Sequence, residues 1–258
     1  MRPVPGRRAG EAPGGGIPFW GALGSGGSRT AASPVTRAAR PHDPSDVREV
    51  MLKLPETDLG IDAYVAAREA AGLPVIVDLG CGARKVEGAL GIDIAALPGV
   101  DLVHDLEMTP YPLPEGCADA IYLNHVLEHF DHPLPILEEV WRMARPGGRV
   151  YIRTPHYSGI YAWRDPTHRR TFSAASFHYF GENNYSYYTT ARFHVVHVRL
   201  KYFMEEEYWP WPFRAWSRVV QWFLDRHPTF GERFLCYWIG GIEELQVTLT
   251  AVKPEQVR

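Results

Sequence analysis

Two short apolar segments, each carrying a carboxylate, constrain the fold of this chain most. The first, residues 75–79, reads VIVDL and runs into the turn Gly80-Cys81-Gly82, and the second, residues 91–94, reads GIDI. Near-continuous apolar runs of this length are typical of strands buried on both faces of a parallel sheet. The pattern predicts an α/β sheet in which the glycine turn and Asp93 meet at the carboxyl edge, where such sheets bind ligands.

The residue types at this edge indicate a nucleoside-containing cofactor. Gly80 and Gly82 have no Cβ, so the backbone can pass close to a ligand. Asp93 can accept hydrogen bonds from both hydroxyls of a ribose. Asp78, just before the turn, would repel a pyrophosphate but can hold an ammonium group. S-adenosylmethionine, which has an amine and a sulfonium but no phosphate, therefore suits this edge better than a dinucleotide.

Two alternatives remain open from these residues. The dinucleotide fingerprint requires a third glycine where this chain has Lys85, yet Arg84 and Lys85 could contact a phosphate, so an NAD-dependent enzyme is one alternative. The other is that a Gly-x-Gly after an apolar run is only a turn.

Length and composition set the domain organisation. The 258 residues suit one α/β domain, which we place at 46–258, whereas residues 1–45 are rich in Gly, Pro and Arg and are expected to be disordered. An organelle transit peptide and a mis-assigned start before Met51 are further interpretations of this tail. The net charge of −3 gives no reason to expect a nucleic acid partner. Three widely spaced cysteines indicate a reducing, cytoplasmic setting, and no apolar run approaches the roughly 20 residues that span a bilayer.

Periodicity places the remaining elements. Helices are predicted over 58–71 and 135–144, and strands over 75–79, 90–94, 101–105, 120–124, 150–153, 193–203 and 243–252. Seven residues, 83–89, follow Gly82 before the second strand, too few for a crossover helix, so a loop is expected there. The segment 204–241, rich in aromatic residues, is interpreted as a packed insertion, a lid over the acceptor pocket, a dimer face or a peripheral membrane contact.

Five motifs in this order resemble the class I S-adenosylmethionine-dependent methyltransferases, over roughly residues 60 to 253. They are DLGCG at 78–82, GID at 91–93, HDL at 104–106, NHVLEH at 124–129 and RPGGR at 145–149. More narrowly, the chain resembles uncharacterised methyltransferases with a shortened first loop and a W-x-D-P-x-H-x-R segment, here 163–170. It departs from the common pattern at Arg84, where a third glycine usually stands.

The resemblance implies a Rossmann-like, mostly parallel seven-stranded sheet of order 3-2-1-4-5-7-6, with an insertion between the last two strands. It also implies S-adenosylmethionine as cofactor, with Gly80, Cys81 and Gly82 at the methionine part, Asp93 at the ribose, Asp105 with Leu106 at the adenine, and Asn124 near the methyl group. Asp78 and Ile94 complete the predicted cofactor-binding set.

The implied activity is methyl transfer to an oxygen or nitrogen of a small molecule or glycan. A histidine is best suited to take a proton from such an acceptor, and the predicted catalytic residues are His125, His156 and His168. Simple packing of His125, and a turn-capping role for Asp165, are the alternatives at these positions. A methyltransferase-like module that binds the cofactor without transfer is the alternative for the whole chain.

One motif suggests different chemistry. Residues 125–129, HVLEH, match the H-x-x-E-H signature of zinc peptidases. That signature needs a long helix and a third ligand, whereas this segment follows a strand and soon meets Pro133. No metal site is therefore predicted.

Overall fold

The structure, a computed structural model, describes residues 59–181, 188–204 and 208–253. Its strands are β1 Ile76–Leu79, β2 Leu90–Asp93, β3 Leu102–Val103, β4 Ala118–Asn124, β5 Ala144–Pro155, β6 Phe193–Lys201 and β7 Glu244–Ala251. Its helices are α1 Leu59–Ala70, α2 Pro133–Met143, α3 Tyr161–Arg164, α4 Trp211–Arg226 and α5 Pro228–Arg233. The predicted disordered tail, residues 1–45, lies outside the described residues.

The seven strands form one sheet of order β3-β2-β1-β4-β5-β7-β6. β1 pairs in parallel with β2 and β4, while β7 runs antiparallel to both β5 and β6. The order, the antiparallel last strand and the α/β class predicted from the sequence are confirmed. This arrangement brings the carboxyl ends of β1, β2 and β4 to the same edge.

The central strands bury one face of the sheet in the apolar core. Val77, Leu79, Ile92, Ile121 and Leu123 are all fully buried. α2 starts at Pro133, where the missing amide hydrogen costs nothing, and its buried stripe includes Val140 and Met143. These contacts hold the ends of β1, β2 and β4 in fixed positions.

The connection between β1 and β2 has no helix, as its length predicts. Its backbone is instead held by side chains: Asp78 Oδ2 accepts from the Val86 amide at 2.8 Å, and Lys85 Nζ lies 2.6 Å from Asp101 Oδ2. Lys85 is therefore paired within the fold.

β5 begins earlier than the sequence pattern predicts. Ala144 already pairs with Ala118, and the next pair is Arg149 with Ala120, so the Arg145–Gly148 turn lies inside a register shift. The turn is therefore a bulge within β5, whereas the sequence pattern places it before the strand. β5 starts directly where α2 ends.

The insertion between β6 and β7 packs onto the domain through one helical face. Ser217, Val220 and Leu224 of α4 are buried. Gln221 ties α4 to the end of β6, because its Oε1 accepts from the Tyr202 amide at 2.9 Å and its Nε2 donates to Leu200 O at 2.9 Å. Among the described helices, none combines the length and the apolar character that crossing a membrane requires.

Candidate functional site

The turn after β1 has a backbone that only glycine accommodates at one position. Gly80 has φ +66, and a Cβ built there would lie 2.5 Å from Val126 Cγ2. The amides of Gly80 and Cys81 both donate to Ile92 O, at 2.7 and 3.2 Å. The turn is thereby fastened to β2, and its backbone is open toward the sheet edge.

Asp93 is held at the end of β2 by two backbone amides. Its Oδ2 accepts from Gly82 N at 2.8 Å and its Oδ1 accepts from Ala95 N at 2.9 Å. Each carboxylate oxygen has a second acceptor direction, so both can still bind hydroxyl groups. The glycine turn and the acid are thus one preorganised unit.

Asp78 offers an acceptor that the protein itself leaves unused. Its side chain is 1% exposed, and Oδ1 has no hydrogen-bond partner within the described part of the chain. Burial raises the pKa of Asp78, opposed by the hydrogen bond from Val86 and the charge of Lys85. A buried acceptor of this kind favours a nearby donor or cation.

A cavity of about 320 Å³ lies at this edge, within the size range of small-molecule sites. It brings together five of the predicted cofactor-binding residues and one predicted catalytic residue. The lining consists of Gly80, Asp93, Ile94, Asp105, Leu106, His125, Val126, His129 and Phe130. Apolar walls combined with two carboxylates fit an adenosine group with its ribose.

The other predicted cofactor residues lie beside this cavity. Cys81 is buried with its Sγ toward Gly91, and burial raises the pKa of its thiol to about 11. Gly82 contributes its amide to Asp93. Asn124, in contrast, lines a separate cavity together with Tyr122 and Arg153.

His125 lines the cavity in an unusual backbone conformation, with φ +56. Its Nε2 lies 3.1 Å from Glu244 Oε2 and its Nδ1 lies 3.3 Å from Glu128 Oε1. Burial lowers the pKa of His125, but the two carboxylates outweigh it and raise the pKa to about 9. With a carboxylate facing each ring nitrogen, His125 is not placed to take a proton from an acceptor.

His156 is fully buried and joins distant segments. Its Nδ1 lies 2.8 Å from Ser158 Oγ and its Nε2 lies 3.1 Å from Glu232 Oε1, which belongs to α5 in the insertion. It does not line the cavity at the cofactor edge. This position gives His156 a structural role, and its catalytic role stays a prediction without geometric support.

His168 lies beside a histidine that the sequence analysis did not select, His129. Their ring centroids are 4.8 Å apart, and His129 lines the cavity. Thr167 Oγ1 lies 3.0 Å from His129 Nδ1 and 2.7 Å from Asp165 Oδ1. Asp165 also accepts from the Thr167 amide, forming the turn that the alternative interpretation expected. The sequence signals for His129 are its place at the end of the 124–129 motif and its place in the H-x-x-E-H match at 125–129.

Comparison with known proteins identifies related sequences and structures. Residues 77–152 match the family described as Methyltransferase domain. A Mycolicibacterium smegmatis protein named "Probable S-adenosylmethionine-dependent methyltransferase" is 31% identical over 118 residues, covering 42% of this chain and 44% of that protein. The matched part of this chain thus spans less than half the length of that relative.

Solved structures with a similar chain path include one from an archaeon and one from a bacterium. An S-adenosylmethionine-dependent methyltransferase from Archaeoglobus fulgidus aligns with 14% identity and a TM-score of 0.40 over 81% of this chain and 100% of its own. One from Mesorhizobium loti aligns with 18% identity and a TM-score of 0.39 over 72% and 97%. Residues 77–152 therefore match a methyltransferase domain family, and the observed sheet order is the one that the resemblance to the class I S-adenosylmethionine-dependent methyltransferases predicts.

Proposed function

We propose that this chain transfers a methyl group from S-adenosylmethionine to an oxygen or nitrogen of a small-molecule or glycan acceptor. The observation that carries the proposal is the unit formed by the Gly80 turn and the Asp93 carboxylate, which opens into a cavity also lined by Asp105 and Leu106. When bound, the cofactor supplies an electrophilic methyl group on a sulfonium, which is an excellent leaving group.

Each part of the edge has a proposed role in holding the cofactor. The backbone of Gly80, Cys81 and Gly82 faces the methionine part, and the unused oxygen of Asp78 is an acceptor for its ammonium group. Asp93 accepts from the ribose hydroxyls. Ile94 and Leu106 flank the adenine, and Asp105 accepts from its amino group. The predicted contact of Asn124 has no support from the cavity lining.

The acceptor is proposed to enter from the segment that follows β5, residues 154–180. His168 and Thr167 of this segment contact His129, which lines the cofactor cavity, so the segment and the cavity are continuous. Holding an acceptor atom in line with the methyl group can by itself contribute several kcal/mol, and the segment supplies that orientation. His125 is proposed as a positioning residue at this junction.

The insertion, residues 204–241, is proposed to form a peripheral contact surface. Trp211, Trp216, Val219 and Trp222 of α4 are exposed. None of the described insertion residues lines the cofactor cavity. Sedimentation of the natural chain with anionic vesicles, compared with sedimentation of the double variant Trp211→Ser/Trp222→Ser, tests a membrane partner. Equal sedimentation of the two proteins would exclude this face as the membrane contact.

A cytoplasmic location is supported by three buried cysteines that form no disulfide.

Removing the Asp93 carboxylate should weaken cofactor binding. Asp93→Ala is expected to cost about 2–3 kcal/mol of binding free energy, because a charged, bidentate hydrogen bond to the ribose is lost. Calorimetric titration with S-adenosylmethionine measures this loss. Asp62→Ala, at an exposed position on α1, is the matched control. Unchanged cofactor affinity in folded Asp93→Ala would contradict the ribose assignment.

The rival functions separate in two measurements. Calorimetry with S-adenosylmethionine, its demethylated product and NAD distinguishes this proposal from a nicotinamide-dependent enzyme, which would bind NAD preferentially. A product screen with mixed metabolites and cell-envelope glycans then distinguishes an enzyme from a binding module. A module would bind the cofactor yet release no demethylated product with any acceptor.

A further inference from the structure

We propose that Glu128, His129 and His168 bind one divalent transition-metal ion at the rim of the cofactor cavity. Each residue offers one ligand atom, and the three atoms lie within 4.8 Å of one another. The sequence analysis predicted no metal because the H-x-x-E-H motif lacked a third ligand. The fold supplies that ligand from the segment after β5, and the ligand set differs from that of a zinc peptidase because His125 faces Glu244 instead.

Glu128 carries the strongest sign of a missing ligand. Its side chain is 1% exposed, and Oε2 accepts from Thr154 Oγ1 at 3.1 Å. Oε1 forms no hydrogen bond of good geometry within the described residues and makes an ion-pair contact with His125 Nδ1 at 3.3 Å. A buried carboxylate oxygen held by such a contact keeps an unused acceptor direction, which a metal ion at this point would fill.

The surroundings of His129 orient it as a metal ligand. Thr167 Oγ1 lies 2.7 Å from Asp165 Oδ1 and donates its hydrogen there, so the same oxygen accepts from His129 Nδ1 at 3.0 Å. This assignment from the partners leaves Nε2 of His129 with the free lone pair. A histidine ligand that donates through its other nitrogen to such a partner is the usual arrangement at metal sites.

His168, like His129, has a polar neighbour at its Nδ1 that orients the ring. Its Nδ1 lies 3.4 Å from Ala162 O, the direction of a weak donor contact, and its Nε2 lies 3.9 Å from Asp165 Oδ2. The lone pair on Nε2 is therefore available, and the Asp165 carboxylate is within reach as a further oxygen ligand. The side chain is only 10% exposed, so the ring is held in place.

Two imidazoles and one carboxylate select the class of metal. This donor set suits Zn²⁺, Mn²⁺, Fe²⁺ or Co²⁺, whereas Mg²⁺ and Ca²⁺ prefer sites made only of oxygen. Three protein ligands leave coordination positions open, as in catalytic metal sites. Because His129 lines the cofactor cavity, we place those positions toward it.

The consequence for chemistry rests on the proposed function. A hydroxyl acceptor bound to the ion would have a lowered pKa and lose its proton to solvent. Its oxygen then forms a bond to the methyl carbon while the carbon–sulfur bond of the cofactor breaks and its electron pair stays on sulfur. This route explains how a hydroxyl could be activated where His125 and His156 are both already paired.

Metal titration of the full chain tests the site without relying on methyl transfer. After treatment with a chelator, calorimetry with Zn²⁺ and Mn²⁺ should show one ion per chain, with weaker binding of Mg²⁺. His129→Ala and His168→Ala should each lower the affinity by more than about 100-fold, and Thr167→Val, which removes the orienting hydroxyl, by about 10-fold. His197→Ala, an exposed histidine on β6, is the matched control and should change nothing.

Two results would overturn the site. One is the absence of stoichiometric binding to the folded chelated protein, and the other is binding that His129→Ala and His168→Ala leave intact. Parallel titration with S-adenosylmethionine keeps the two proposals separable, because the metal-free protein and folded His168→Ala, whose side chain does not line the cofactor cavity, should retain cofactor affinity. Retained cofactor binding with no metal binding therefore counts against the metal site alone.

Discussion

Gly80→Ala is expected to lower the free energy of unfolding by about 2–5 kcal/mol, because two separate penalties act at one position. The first is conformational: Gly80 has φ +66, a region that a residue with a Cβ enters at a cost. The second is steric, since the new Cβ would lie 2.5 Å from Val126 Cγ2, a side chain that is itself buried. Denaturant unfolding of the purified variant measures the sum.

A matched glycine separates the two penalties. Gly72 has nearly the same backbone angle, φ +64, but no atom lies within 4 Å of the position of its Cβ. Gly72→Ala should therefore show only the conformational cost, about 1–2 kcal/mol. If Gly80→Ala is no more destabilising than Gly72→Ala, the contact with Val126 is not what requires glycine.

A double variant tests the steric part directly. Val126→Ala removes the two methyl groups that the new Cβ would meet, so Gly80→Ala should cost less in that background than in the natural chain. A coupling energy of about 1 kcal/mol or more between the two substitutions is expected for residues in contact. Strict additivity would show that the turn moves away from Val126 as a unit.

The cofactor edge could be predicted because its information is local in sequence. Gly80 and Asp93 both follow short apolar runs, and parallel pairing of those runs is enough to bring the turn and the acid together. The direct bond from Gly82 N to Asp93 Oδ2 follows from this register. The positions of β1 and β2 and the helix-free first loop were predictable for the same reason.

The acceptor side could not be predicted because its contacts join segments far apart in the chain. Nothing in the local pattern indicates that Thr167 would orient His129, or that His168 would lie beside it. The surface on which the insertion docks could not be predicted either: one buried face of α4 packs on the domain, and Trp211, Trp216 and Trp222 are exposed. Hydrophobic periodicity shows that a helix has an apolar face, but not which surface it covers.

The contact between His156 and Glu232 joins residues 76 positions apart and ties the insertion to the acceptor segment. Glu232 Oε1 accepts from the Ala174 amide at 2.7 Å and lies 3.1 Å from His156 Nε2, while its backbone oxygen accepts from Tyr157 Oη at 3.0 Å. Burial raises the pKa of Glu232, but the bonds to His156 and Ala174 outweigh it and lower the pKa. Glu232 Oε1 therefore contacts both His156 and Ala174, and it connects α5 to the acceptor segment.

Glu232→Ala is therefore expected to destabilise the protein by about 2–4 kcal/mol, since His156 Nε2 and the Ala174 amide would both lose their partner in a buried place. Glu232→Gln should cost much less, because an amide oxygen at the same position can accept from both groups. The exposed Glu87→Ala is the control for loss of a carboxylate alone. Denaturant unfolding gives the free energies, and amide hydrogen exchange should rise in both 157–180 and 228–237. Equal stability of Glu232→Ala and Glu87→Ala would contradict this prediction. It would mean that the apolar face of the insertion holds it in place, and that His156 can lose its carboxylate partner without a cost in stability.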